Sequence, residues 1–157
     1  MSKIIQFKGL NSKVYPKIYN RFFKMVQTID QPIPSYGDYK VNFQNVELNR
    51  GNCFQNISEG IKVIKDDVHI VKITFCAWIE AFDNCYSWYR LKKNENVVCH
   101  AMAEKNGWNT INITSVIKVS KGDIIQPYIY FNIASANNKI RGGTYPGSTY
   151  ILIEVIE

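Results

Sequence analysis

The stretch Ile70–Phe82, "IVKITFCAWIEAF", decides the fold. Ile73, Phe75, Ala77, Ile79 and Ala81 fall on one side of a period of two, and Lys72, Thr74, Cys76, Trp78 and Glu80 fall on the other. Successive side chains alternate across a strand, so this spacing predicts a long β-strand with one face buried. The same period recurs downstream. Tyr86, Trp88 and Arg90 alternate with Cys85, Ser87, Tyr89 and Leu91. Further strands are expected over Val97–Ala103, Ile111–Val119, Ile125–Ile133 and Thr149–Val155. Asp83-Asn84, Lys93–Asn96, Lys105–Gly107 and Ser120–Asp123 read as turns, and Ala134–Gly147 as a polar, glycine-rich loop. Upstream, a weaker alternation starts at Tyr39, with Val41, Phe43, Asn45 and Glu47 on one side.

Seven or more strands joined by short turns, with no helical pattern after residue 35, predict an all-β sandwich or barrel. Strands of unequal length with aromatics on both faces favour a two-sheet antiparallel jelly-roll sandwich over an up-and-down barrel. A monomeric sandwich keeps one wet face per sheet. Here the second face carries Trp78, Tyr86, Trp88, Tyr128, Tyr130 and Tyr150. These six are the expected subunit interface, and with it a homo-oligomer.

The N-terminal part differs. Lys3, Lys8, Lys13, Lys17, Arg21 and Lys24 supply the whole net charge of +6, and no acid precedes Asp30. These cations are interleaved with Ile4, Ile5, Phe7, Leu10, Val14, Tyr15 and Phe22. A purely electrostatic tail has no need of such apolar residues. Docking on an acidic protein surface is therefore preferred to nucleic-acid binding and to a merely solvated arm. Tyr19, Phe22, Phe23, Val26 and Ile29 lie near helical spacing, which predicts a short amphipathic helix over residues 17–29. Gln31-Pro-Ile-Pro-Ser35 then reads as a linker. The expected division is an anchoring arm and linker over 1–35 and a head domain over 36–157.

Enzymatic chemistry finds no foothold. No phosphate-binding glycine loop, dinucleotide fingerprint, zinc-protease helix or nucleophile elbow occurs. His69 and His100 are the only histidines, and the spacing of Cys53, Cys76, Cys85 and Cys99 matches no zinc module. Catalytic residues, metal and cofactor are thus none, and the cysteines are expected as free thiols. Lys72 and Glu80 interrupt the longest apolar run, which argues against membrane insertion. The N-terminus lacks a signal-peptide pattern, so assembly in a cytoplasm is expected. Trp108, after the Asn106-Gly107 turn, and Arg141, in the polar loop, are the candidate ligand contacts.

Over Ile61–Ile156 the body resembles the tumour-necrosis-factor-like jelly roll of the complement-component-q globular head. "GIKVIKDDVHIVKITFCAWIEA" matches a strand leading into the long central strand, and "YRLKKNENVV" matches a strand, turn and return strand. "VIKVSKGDIIQPYIYF" matches an apolar strand, Gly-Asp turn and following strand, and "YPGSTYILIEVI" matches the last strand. The resemblance implies a ten-strand jelly roll, a compact homotrimer with aromatics around the threefold axis, and no catalysis. The leader "KIIQFKGLNSKVYPKIY" resembles the N-terminal segment of bacteriophage fibre and baseplate proteins, where a small hairpin anchors the chain. Ile5, Phe7, Lys8, Val14, Tyr15 and Pro16 fit that pattern, whereas Gly9-Leu10-Asn11-Ser12 departs from its acidic-Gly turn.

Together these likenesses imply a trimeric virion structural protein, a fibre or appendage head assembled in the host cytoplasm. Lys3, Phe7, Lys8, Lys13, Tyr15, Pro16, Lys17, Arg21 and Lys24 would anchor it to other virion proteins. The head would bind a host-surface receptor or glycan. A decoration or hub protein that binds only virion partners, and a non-viral complement-like module, are the alternatives.

Overall fold

The structure, a computed structural model, describes residues 21–82, 85–104, 107–132, 137–143 and 148–157. It is an all-β, two-sheet antiparallel jelly-roll sandwich with no helix among the described residues. In chain order the strands are β1 (Phe22–Val26), β2 (Gln31–Pro32), β3 (Gly37–Lys40), β4 (Asn45–Asn49), β5 (Phe54–Ile57), β6 (Gly60–Val63) and β7 (Ile70–Ala81). They continue with β8 (Tyr86–Lys93), β9 (Asn96–Glu104), β10 (Gly107–Lys118), β11 (Ile124–Phe131), β12 (Lys139–Ile140) and β13 (Tyr150–Val155).

The first sheet runs β2-β12-β7-β13-β1-β4, with β10 on the other side of β7. The second runs β5-β6-β11-β8-β9, with β3 also against β11. Strand β7 is the stretch whose alternation predicted it. Val71, Ile73, Phe75, Ala77, Ile79 and Ala81 are buried between the sheets. They meet Ile61, Val63, Tyr89, Leu91, Ile125, Ile129 and Phe131 of the second sheet. Phe75 lies 6.3 Å from Tyr89 and Phe23 lies 5.7 Å from Phe54, centroid to centroid, so aromatic contacts tie the two sheets together.

The helix expected over 17–29 is corrected by β1. Phe23 and Met25 are buried in the core while Phe22 and Lys24 face outward, a period of two inside what read as a period of 3.6. Strand β1 pairs with β13 on one side and β4 on the other, so long-range ladders on both edges override the local pattern. Among the described residues the sandwich thus includes Phe22–Val26 and Gln31–Pro32, which lie inside the segment assigned to the arm and linker. The single strand expected from Tyr39 onward is also two elements. Strand β3 belongs to the second sheet and β4 to the first, and residues 41–44 cross between them with Val41 buried.

A two-residue turn closes the β8–β9 ladder where the sequence placed it. Asn94 and Glu95 both have positive φ (50° and 67°), the backbone twist that a tight β8–β9 hairpin requires. The Asn94 side chain then bridges to the next turn: its Nδ2 donates to Asp123 at 2.6 Å, and its Oδ1 accepts from Ile124 N–H at 2.8 Å. All four cysteines are free thiols, as expected, and burial raises the pKa of Cys53 and Cys76 above the ordinary thiol value.

Candidate functional site

The six aromatics expected at a subunit interface divide between the two outer faces. Trp78 and Tyr150 stand on the outside of the first sheet, and Tyr86, Trp88, Tyr128 and Tyr130 on the outside of the second. The two faces differ in charge. On the second sheet, Lys92 Nζ sits 3.8 Å above the Tyr128 ring and the Arg90 guanidinium 5.2 Å from the Tyr130 ring. Asp38 binds Arg90 at 2.8 Å and Lys92 at 3.6 Å. These rings already have cations on them, and the face is suited to water.

The first sheet also has a cation near each of its two aromatics, Lys24 5.3 Å from the Tyr150 ring and Arg141 5.5 Å from the Trp78 ring, but the residues between them are uncharged. Its outer face centres on Thr74, Cys76, Trp78, Tyr150, Leu152, Asn112 and Thr114, which carry no charge. Ion pairs frame this patch on three sides: Lys72–Glu154 at 2.8 Å, Lys24–Glu47 at 2.7 Å, and the Arg141 cluster described below. The fourth side is the open edge of β10. From Gly107 to Ile117 that strand has no charged residue, although edge strands are usually guarded by Lys, Pro or a bulge. Strand β9, the edge of the second sheet, is likewise uncharged from Asn96 to Ala103 apart from His100. The two edges lie at one end of the sandwich. They expose Val97, Val98, Met102 (56%), Trp108 (55%) and Val116 (59%). An uncharged face and an uncharged double edge on one molecule form the candidate assembly surface.

Trp108 and Arg141, the two expected ligand contacts, converge at the corner of this face although they are far apart in the chain. The Arg141 guanidinium lies 5.1 Å from the Trp108 ring and 5.5 Å from the Trp78 ring, and the two indoles are 5.1 Å apart. Local structure places them. Just before β13 begins, Thr149 Oγ1 accepts the Trp78 N–H at 3.0 Å, and the Arg141 N–H donates to the Trp78 carbonyl at 2.8 Å. Arg141 then reaches Asp30 at 2.6 Å and Glu80 at 3.4 Å, and Lys139 reaches Glu80 at 3.7 Å. Two cations against two carboxylates leave the cluster balanced. It braces the indole pair and does not call for a charged ligand.

Of the anchoring residues, Lys3, Phe7, Lys8, Lys13, Tyr15, Pro16 and Lys17 lie outside the described residues. Arg21 is built into the sandwich: it pairs with Asp67 at 3.0 Å and leans on the Cys53 sulfur at 3.8 Å. Lys24 pairs with Glu47 and sits 5.3 Å from the Tyr150 ring. The exposed edge residues Val97, Val98, Met102 and Val116 were not singled out by sequence. The signal for them was an eleven-residue run without charge, from Gly107 to Ile117, in a strand that proves to be an edge.

No protein-family model and no curated protein matches the chain. Solved structures do. Murine APRIL aligns with a TM-score of 0.65 at 13% identity, over 87% of this chain and 99% of that one. Eiger TNF from S. frugiperda aligns with a TM-score of 0.60 at 6% identity, over 88% of this chain and 94% of that one. At such identities the likeness establishes the fold, a tumour-necrosis-factor-like jelly roll.

Proposed function

We propose that the chain is a non-enzymatic binding head that assembles with two copies of itself, and that it serves as the tip of a bacteriophage fibre or related appendage. One observation carries the assembly: the uncharged centre of the first sheet's outer face, Thr74, Cys76, Leu152, Asn112 and Thr114, and the uncharged β9/β10 edge occur on the same chain. Placing the edge of one copy against the face of the next buries both. A head-to-tail contact of this kind closes into a ring when the rotation permits, and the resemblance of the sequence to complement-component-q heads implies a threefold one. The second sheet, with its cation-covered tyrosines, then faces solvent. The virion reading draws its support from the likeness of residues 3–19 to phage anchoring segments, and it places those residues against an acidic virion protein.

Analytical ultracentrifugation of the intact protein tests the assembly. A species three times the 18.1 kDa chain mass is expected, and a monomer at micromolar concentration overturns it. Purified particles test the location. Antibody against the head should label an appendage, and absence of the chain from particles rejects the virion reading.

A further inference from the structure

The second sheet contains a fork. Strand β11 pairs with β6 at Ile124–Ile125 and with β3 at Tyr128–Phe131. Gln126 and Pro127 lie between the two partners. The Pro127 carbonyl accepts the Val41 N–H at 3.0 Å, and the N–H that proline lacks is the ladder group the fork leaves without a partner. Beyond the fork, residues 40–44 leave for the first sheet while the β5–β6 turn stays. A cavity of about 380 Å³ opens between them. That volume falls in the range of small-molecule sites, about 300–1,000 Å³.

The lining defines the chemistry. Asn42, Asn56 and Ser58 offer groups that both donate and accept, and Phe43 and Pro127 offer apolar surface. Among the described residues no carboxylate lines the cavity, which removes the ordinary ligands of a hard metal ion. The one cation among its described lining residues, Lys40, donates to the Ser58 carbonyl. What remains is an amide-rich pocket with an aromatic wall, its ammonium already donating to a carbonyl and near enough to the Glu59 carboxylate to help the Ser58 hydroxyl lower that group's pKa. It matches a molecule that presents hydroxyls on its edge and C–H groups on its face. We infer that the fork cavity binds an uncharged pyranose unit of a glycan. This rests on the reading of the chain as a binding head. It names the ligand class of that head and moves the contact from Trp108 and Arg141 to the solvent-facing sheet. In a trimer three such cavities bind one polysaccharide together, so weak single contacts suffice.

The test is titration of the intact protein with maltotetraose, cellotetraose and chitotetraose, followed by NMR, with tetragalacturonate as the charged control. At least one neutral tetrasaccharide is expected to bind in the millimolar range and to shift the amides of Asn42, Phe43 and Asn56. Asn42→Ala and Asn56→Ala should each weaken binding about five-fold or more, the loss expected for a directed hydrogen bond. Both residues are exposed, so thermal unfolding should not change. The inference is overturned if no neutral sugar binds, if tetragalacturonate binds as tightly, or if both asparagine variants bind unchanged. Sedimentation of the same samples separates the two readings. A monomer that binds sugar refutes assembly alone, and a trimer that binds none refutes this site alone.

Discussion

Asp123 shows how a single turn residue is tuned. Burial raises its pKa, but hydrogen bonds from Asn94 Nδ2 and the Ser120 N–H, with the Lys93 ammonium at 3.4 Å, outweigh burial and hold it below the ordinary carboxylate value. A folded-state pKa below the unfolded one means that the native state binds fewer protons. The stabilisation is then complete above the unfolded pKa and is lost as pH falls through the folded one. Asp123→Asn should therefore cost about 1 kcal/mol at pH 7, with the difference from the parent shrinking as pH falls below the ordinary carboxylate range, as read by thermal unfolding. Gly142 is a second such position. Its N–H donates to Asp30 at 2.9 Å, and a Cβ there would run into the Ile29 backbone. Gly142→Ala should cost about 1–3 kcal/mol by overpacking and pull Arg141 off the indole pair, measurable by denaturant unfolding and tryptophan fluorescence. The Ser120–Asp123 turn was legible in the sequence as a Gly-Asp turn. The role of Gly142 was not, because the Ile29 backbone it meets is 113 residues away in the chain.

Among the elements, β7 was readable from its own residues and β1 was not. Strand β7 repeats its alternation over 12 residues, long enough for the period to stand out. Strand β1 has five residues, and Phe22, Phe23 and Val26 fit helical spacing as well as they fit a strand. Its identity comes from β13 and β4, whose ladders accept it on both sides. Strand β10 carries the prediction at this scale. Val116 points outward from an edge strand and is 59% exposed, so Val116→Lys should leave the monomer folded. Buried in a neighbouring copy, the same lysine is an unpaired charge, and the sedimentation coefficient should fall to that of a monomer. Retention of the trimer would show that this edge is not the contact.

At the scale of the whole molecule, truncations separate arm from sandwich. Removing residues 1–20 should leave a folded head with near-parental thermal stability. Removing residues 1–27 takes out β1, with buried Phe23, Met25 and Val26, from between two strands of the first sheet, and should abolish cooperative unfolding in circular dichroism. Folding of the longer truncation would mean that β13 and β4 close without β1. The sequence by itself determined the class of fold: alternation is a local property, and enough alternating segments with short turns leave only a sandwich or a barrel. It also showed that none of the familiar catalytic motifs occurs in it. Only the tertiary structure decided which aromatics share a face, which strands become edges, and where β11 changes partners to open a cavity. Those are facts of pairing between residues tens of positions apart, and no local period records which strand a given strand will meet.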